Sequence, residues 1–151
     1  MDSLLKVIVG TWFICSTNFP MWLKGNKHNP TFTYTPVPEK PGVLLDEVKY
    51  QKKGKKKTIT GYDYPDEKKP NAFIWRGKGL LGLLKSKWEV RLIDPQGQWA
   101  VIYFSKTLFT PEGVDIISRQ PQLSPELLQE IKRQMAADSL LRAQVSSLKD
   151  L

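Results

Sequence analysis

The most constraining feature of this chain is a succession of short strand-like runs, each cut off by turn residues, with one clear helix start after the last. Residues 31–35, Thr-Phe-Thr-Tyr-Thr, alternate polar and aromatic side chains as a strand with one buried face does. Pro36, Pro38 and Pro41 break that run, and Gly42 opens the next. Residues 43–51 and 55–63 read as a hairpin turning at Lys53-Gly54, and 87–94 with 98–105 as a second around Asp94-Pro95-Gln96-Gly97. A first strand covers 7–16, a short one 71–76, and the last 114–119. The segments 17–30, 62–70, 77–86 and 106–113 read as connections. Ser124-Pro125-Glu126 then begins a helix: Ser caps free N–H groups, Pro is tolerated at the first helical position, and Glu meets the positive end of the dipole. Leu127, Leu128, Ile131 and Met135 fall on one face of that helix, and Leu141, Val145 and Leu148 continue it or form a second. The expected fold is all-β: an eight-stranded antiparallel up-and-down barrel with a C-terminal helix on its outside.

A chain of 151 residues suits a single domain, with the barrel over about 7–119 and a helical segment over about 124–149. No apolar run is long enough to span a bilayer as a helix. The start, Met1-Asp2-Ser3-Leu4-Leu5-Lys6, lacks the basic and apolar regions of a secretory signal, which implies a cytoplasmic protein as the chain stands. A periplasmic or secreted location fits if a leader preceded it. The lone Cys15 forms no disulfide within the chain, and its apolar neighbours suit a small core residue rather than a reactive thiol. A net charge of +8 favours anionic partners.

Gly10-Thr11-Trp12-Phe13 sets a glycine two positions before a tryptophan in the first strand. Asp94 and Tyr103 surround the late hairpin, and Arg119 stands before the C-terminal helix in Ser118-Arg119-Gln120-Pro121-Gln122-Leu123-Ser124. Together these resemble the lipocalins, and the last stretch is most similar to the bacterial outer-membrane-type members. The resemblance implies an eight-stranded barrel whose Trp12 lies at the closed end, with Arg119 packed across it. Gly10, Trp12, Asp94 and Arg119 are then its structural signature. It also implies that the loops over 17–30, 52–55, 77–86 and 106–113 surround the open end.

Standard catalytic constellations do not form from this composition. With one His and one Cys, no nucleophile–base pair and no metal-ligand spacing arises, and His28 reads as a solvated loop residue. Gly77, Gly79 and Gly82 lack both the phosphate-loop and the dinucleotide pattern, so neither a metal nor a cofactor is expected. The strand over 43–51 offers more. Leu44, Asp46, Val48 and Tyr50 share one face, and Val43, Leu45, Glu47 and Lys49 the other. The first face is the more apolar, which turns Asp46 inward; a bulge would instead expose both acids. Matching parity brings Phe32 and Tyr34, Phe73 and Trp75, Trp88, and Trp99 with Tyr103 toward the same interior. The candidate ligand contacts are Tyr34, Asp46, Tyr50, Trp75, Trp88 and Tyr103.

Mapped on the lipocalin order, the mouth holds Lys24, Lys27, Lys52, Lys53, Lys55, Lys56, Lys57, Arg76, Lys78, Lys85, Lys87 and Lys106, 12 of the 23 basic residues, with Trp22, Leu23, Leu80, Leu81, Leu83 and Leu84 among them. Lys53, Lys55, Lys56, Arg76 and Lys78 form its rim. Such a surface suits an anionic membrane or an anionic ligand, and equally a charged solubilising face. Nucleic acid is not expected, because the aromatics are not spaced on an exposed sheet. The expected function is binding of a small hydrophobic molecule with an anionic or polar head, such as a fatty acid or lysolipid. The alternative is a cofactor-free isomerase or cyclase using Asp46, Tyr34 and Tyr50 as acid–base groups. A third reading is a protein-interaction module built on residues 138–151.

Overall fold

Gly10 decides where the barrel begins. In the computed structural model, which describes residues 2–79, 85–108 and 110–151, Gly10 has φ +110°, a conformation that favours glycine. The chain therefore enters β1 (Gly10–Thr17) from a short helix, α1 (Asp2–Ile8), and the expected strand start at residue 7 is corrected. Leu4 and Ile8 of α1 are buried against Trp12, so the helix plugs the closed end of the barrel. An extended start would leave those two side chains in water.

The guanidinium of Arg119 lies over the Trp12 indole, 3.6 Å from the ring centroid. It donates to the carbonyls of Thr11 at 2.9 Å, Val7 at 2.6 Å and Val9 at 2.9 Å. Two of those are C-terminal carbonyls of the α1 segment, which lack helical partners and favour a cation. A Cβ on Gly10 would sit 3.0 Å from Arg119 Nη1, so the glycine also leaves room for the arginine. Trp12 Nε1 donates to the Ile8 carbonyl at 2.7 Å. Asp94 accepts from Gln98 N at 3.1 Å and shapes the neighbouring β-turn, whose Gly97 passes beside Val7.

After β1 come α2 (Pro20–Leu23), β2 (His28–Pro36), β3 (Leu44–Lys52), β4 (Lys55–Pro65), β5 (Ala72–Gly77), β6 (Lys85–Ile93), β7 (Trp99–Phe104) and β8 (Gly113–Ser118). All neighbours pair antiparallel in chain order, and β8 and β2 both pair with β1, which closes the barrel. Lys53 and Gly54, at φ 53° and 74°, make the two-residue turn between β3 and β4. Several boundaries shift from the sequence expectation. The connection 17–30 contains α2 and the start of β2, so exposed His28 is the first residue of a strand. The run 62–70 is β strand as far as Pro65, and β6 begins at Lys85. Leu80, Leu81, Leu83 and Leu84 lie outside the described residues.

Alternation divides β7 and β8 between two cores. Ala100, Ile102 and Ile117 face the barrel interior with Trp12, Ile14 and Phe73. Trp99, Val101, Tyr103, Val114 and Ile116 face outward under α3 (Pro125–Ala136), against Ile131 and Met135. Both helix residues are fully buried, and each contributes about 1.5–3 kcal/mol of hydrophobic stabilisation. Ser124 caps α3 through Leu127 N. The helix ends at Ala136 rather than running on to residue 149. Arg91, the extra residue at a β6 irregularity, reaches Asp138 at 2.8 Å. A 3₁₀ turn (Arg142–Ser147) and a short β9 (Lys149–Asp150) then pair the tail with β1. Leu141 and Leu148 are buried there, so residues 138–151 are not the free segment a docking module needs.

Cys15 is the extra residue of a second irregularity, between Ile14 and Ser16. Burial, then the nearby Asp150, raises its thiol to about 11, so it stays protonated near neutral pH.

Candidate functional site

The inward faces of β2, β3 and β4 carry Phe32 and Tyr34, Leu44, Asp46 and Val48, and Ile59, Gly61 and Asp63. Register sets Tyr34 opposite Asp46, and Asp46 opposite Gly61. Gly61 has a specific task. A Cβ there would come within 2.4 Å of Trp75 Nε1, so the missing side chain lets the Trp75 indole lie across the strand.

Trp88 of β6 stacks on Phe73 at 4.6 Å and on Tyr34 at 5.4 Å, ring centroid to ring centroid. Tyr34 and Trp88 of this row line one wall of a cavity of about 400 Å³ in the open half of the barrel, with Phe73 packed behind Trp88. Phe19, Met21 and Trp22 from the β1–β2 connection, Phe32, Trp75 and Phe104 complete most of the apolar lining. Trp22 is buried against Tyr50, with ring centroids 5.7 Å apart. It closes part of the barrel top instead of forming an exposed lipid-facing patch.

Three buried carboxyls stand within this apolar lining or just behind it. Asp46 is 5 % exposed, Asp63 0 % and Asp115 1 %. Asp46 and Asp115 line the cavity. Asp63 accepts from Trp88 Nε1 at 2.9 Å and lies close enough to Asp46 for the two charges to be coupled. Two buried carboxylates repel one another when both are ionised, which favours keeping a proton on the pair. Asp46 Oδ1 and Asp63 Oδ2 are buried without a hydrogen-bond partner among the described residues.

Burial pushes Asp63 well above the usual carboxylate range, and the facing Asp46 adds to the rise. Burial also lifts Asp46 to about 6, opposed by the neighbouring Asp63. Asp115 rises to about 7 by burial, opposed by a hydrogen bond from Thr17, and its Oδ1 has no partner. Tyr34 lies near all three and is held well above its ordinary value by burial and then by Asp46, Asp63 and Asp115.

Of the expected ligand contacts, Tyr34, Asp46, Trp75 and Trp88 lie on the cavity wall. Asp46 is the inward acid of its pair, and Glu47 opposite Thr33 is half-buried. Tyr50 is corrected: it packs on Trp22 with Lys27 over its ring at 5.8 Å, and does not line the cavity. Tyr103 is corrected more firmly, with Trp99 of the same parity. Both point outward into the α3 core, and Tyr103 donates to Glu112. The parity was right along β7 but the face was wrong, because both faces of that strand are buried.

Asp63 and Asp115 were missed. Each has the parity of an inward residue, with Ile59 and Ile117 respectively, and that parity was the signal that could have found them. Lys53, Lys55, Lys56, Arg76 and Lys78 are exposed around the mouth. Among the described residues none of the five forms an ion pair. Lys24 borders the cavity itself.

The model of the lipocalin-like domain family matches residues 3–149. Among solved structures, lobster apocrustacyanin A1 superposes with a TM-score of 0.72 at 14 % identity, covering 99 % of this chain and 79 % of that one. The siderocalin Ex-FABP gives 0.67 at 14 %, covering 94 % and 91 %. The bovine lipocalin allergen Bos d 2 gives 0.65 at 11 %, covering 96 % and 92 %. At these identities the likeness is one of fold. No curated protein sequence matches the chain.

Proposed function

The chain belongs to the lipocalin-like domain family, and from that premise we propose that it binds a small hydrophobic molecule with an anionic head, a fatty acid or lysolipid, in the open half of its barrel. The observation that carries this reading is the cavity of about 400 Å³ lined by Phe32, Tyr34, Trp75, Trp88 and Phe104. An acyl chain there leaves water at about 0.8 kcal/mol per methylene. Its orientation follows from charge. The interior is apolar and its buried acids offer an anionic head no cation, while the exposed lysines of the mouth attract one, so the chain enters tail first.

The test is competition. A fluorescent dodecanoic acid analogue excited by energy transfer from tryptophan should bind saturably, and unlabelled dodecanoic acid should displace it. Failure of displacement up to the solubility limit of the acid would remove this reading.

One observation favours a second reading, a cofactor-free isomerase or cyclase. Burial raises both Asp46 and Asp63, which favours a proton held beside aromatic rings able to stabilise a developing cation. Tyr50 drops out of the acid–base set, leaving Asp46 with Asp63, and Tyr34. Product formed from a terpenoid or polyketide panel by the native protein and lost in Asp46→Asn would make this reading the better one.

A further inference from the structure

The ligand's head is assigned to the rim above, and the interior has polar requirements of its own. The unpartnered oxygens of Asp46 and Asp63 belong to neighbouring acids, so a proton held by one can meet the other. Asp115 has no such explanation. It is 1 % exposed, it lines the cavity, and its Oδ1 accepts nothing among the described residues. Its neighbours in register are Thr17 on β1 and Ile102 on β7, and Phe104 and Pro111 border the cavity on the same side. No cation among the described residues pairs with it. That oxygen is already out of water with nothing to accept, which is unfavourable by about 1–3 kcal/mol, and a donor reaching it from the cavity would relieve the cost.

We propose that the molecule bound here is a hydroxylated lipophile, whose hydroxyl on the buried part of the chain donates to Asp115 Oδ1. The inference rests on the binding reading above and names the ligand class more narrowly. A hydroxyl suits the position better than a second carboxylate, whose charge would itself have to be buried there. It also suits a wall that is otherwise aromatic, since a neutral group is less costly to bury than an ion.

The experiment compares dodecanoic acid with hydroxydodecanoic acids carrying the hydroxyl at successive carbons from mid-chain to the ω end, by displacement of the same fluorescent probe. At least one hydroxylated isomer should bind about tenfold tighter than the parent acid. Asp115→Leu, close in shape but without an acceptor, should bring the ratio for that isomer near unity. Asp115→Asn retains an acceptor oxygen and should keep most of it. Infrared difference spectra of the unmutated protein supply a measurement independent of any variant's folding. The preferred isomer should shift a carboxyl band that the parent leaves in place. If the parent acid binds and no isomer exceeds it, or the band does not move, the hydroxyl assignment is overturned while the binding reading stands. If neither parent nor isomers displace the probe, both fall.

Discussion

Asp115 contributes to stability against the usual carboxylate dependence on pH. Its carboxyl ionises near the ordinary value of 3.8 in the unfolded chain, but burial holds it to about 7 in the folded one. Between those values the native state keeps a proton that the unfolded state has released. The unfolding free energy therefore falls as pH rises, with a slope approaching about 1.4 kcal/mol per pH unit. The destabilisation is absent below the unfolded pKa and complete above the folded one. Integrated over the interval it is on the order of 4 kcal/mol. Asp46, raised in the same direction, adds to the effect within its pair. Asp115→Asn removes the titration and keeps the shape. Urea unfolding followed by tryptophan fluorescence, or calorimetry, should show the stability difference between variant and native protein shifting by about 4 kcal/mol in the variant's favour from pH 4 to pH 8. That corresponds to roughly 8–16 °C in Tm for a chain of this size. A difference that stays constant with pH, or moves in the native protein's favour at high pH, would refute the burial argument.

Two further outcomes test the closed end and the mouth. Arg119→Met should lose about 3 kcal/mol of stability, because three carbonyls and the Trp12 face lose one shared cation. Arg119→Lys should recover less than half of that, since an ammonium cannot fork to all of them. Equal melting of native and Met proteins would count against the lock between α1 and the barrel. Changing Lys52, Lys53, Lys55, Lys56 and Lys57 together to Gln should weaken uptake of an anionic fatty acid several-fold at low salt and flatten its salt dependence, read by stopped-flow fluorescence. Unchanged uptake at low salt would assign these lysines to solubility.

The sequence by itself determined the barrel, because period-two alternation and turn chemistry are local properties. Lys53-Gly54 adopts the two-residue turn its residues favour, Asp94-Pro95-Gln96-Gly97 closes its hairpin, and Ser124 caps its helix. Alternation also separated Asp46 from Glu47, since β3 has one face toward the interior and the other at least partly toward water. What tertiary structure decided was each choice that local pattern leaves equal. β7 is buried on both faces, so nothing in Trp99 to Phe104 distinguishes inside from outside until α3 is placed, and Tyr103 went to the outer core. Residues 2–8 became a helix because Gly10 turns there and Arg119, far along the chain, donates to the carbonyls that end it. The buried acids follow the same rule. Asp63 and Asp115 carry charge in the sequence, and only barrel closure removes water from them, which raises Asp63 beside Asp46 and leaves Asp115 an oxygen with nothing to accept.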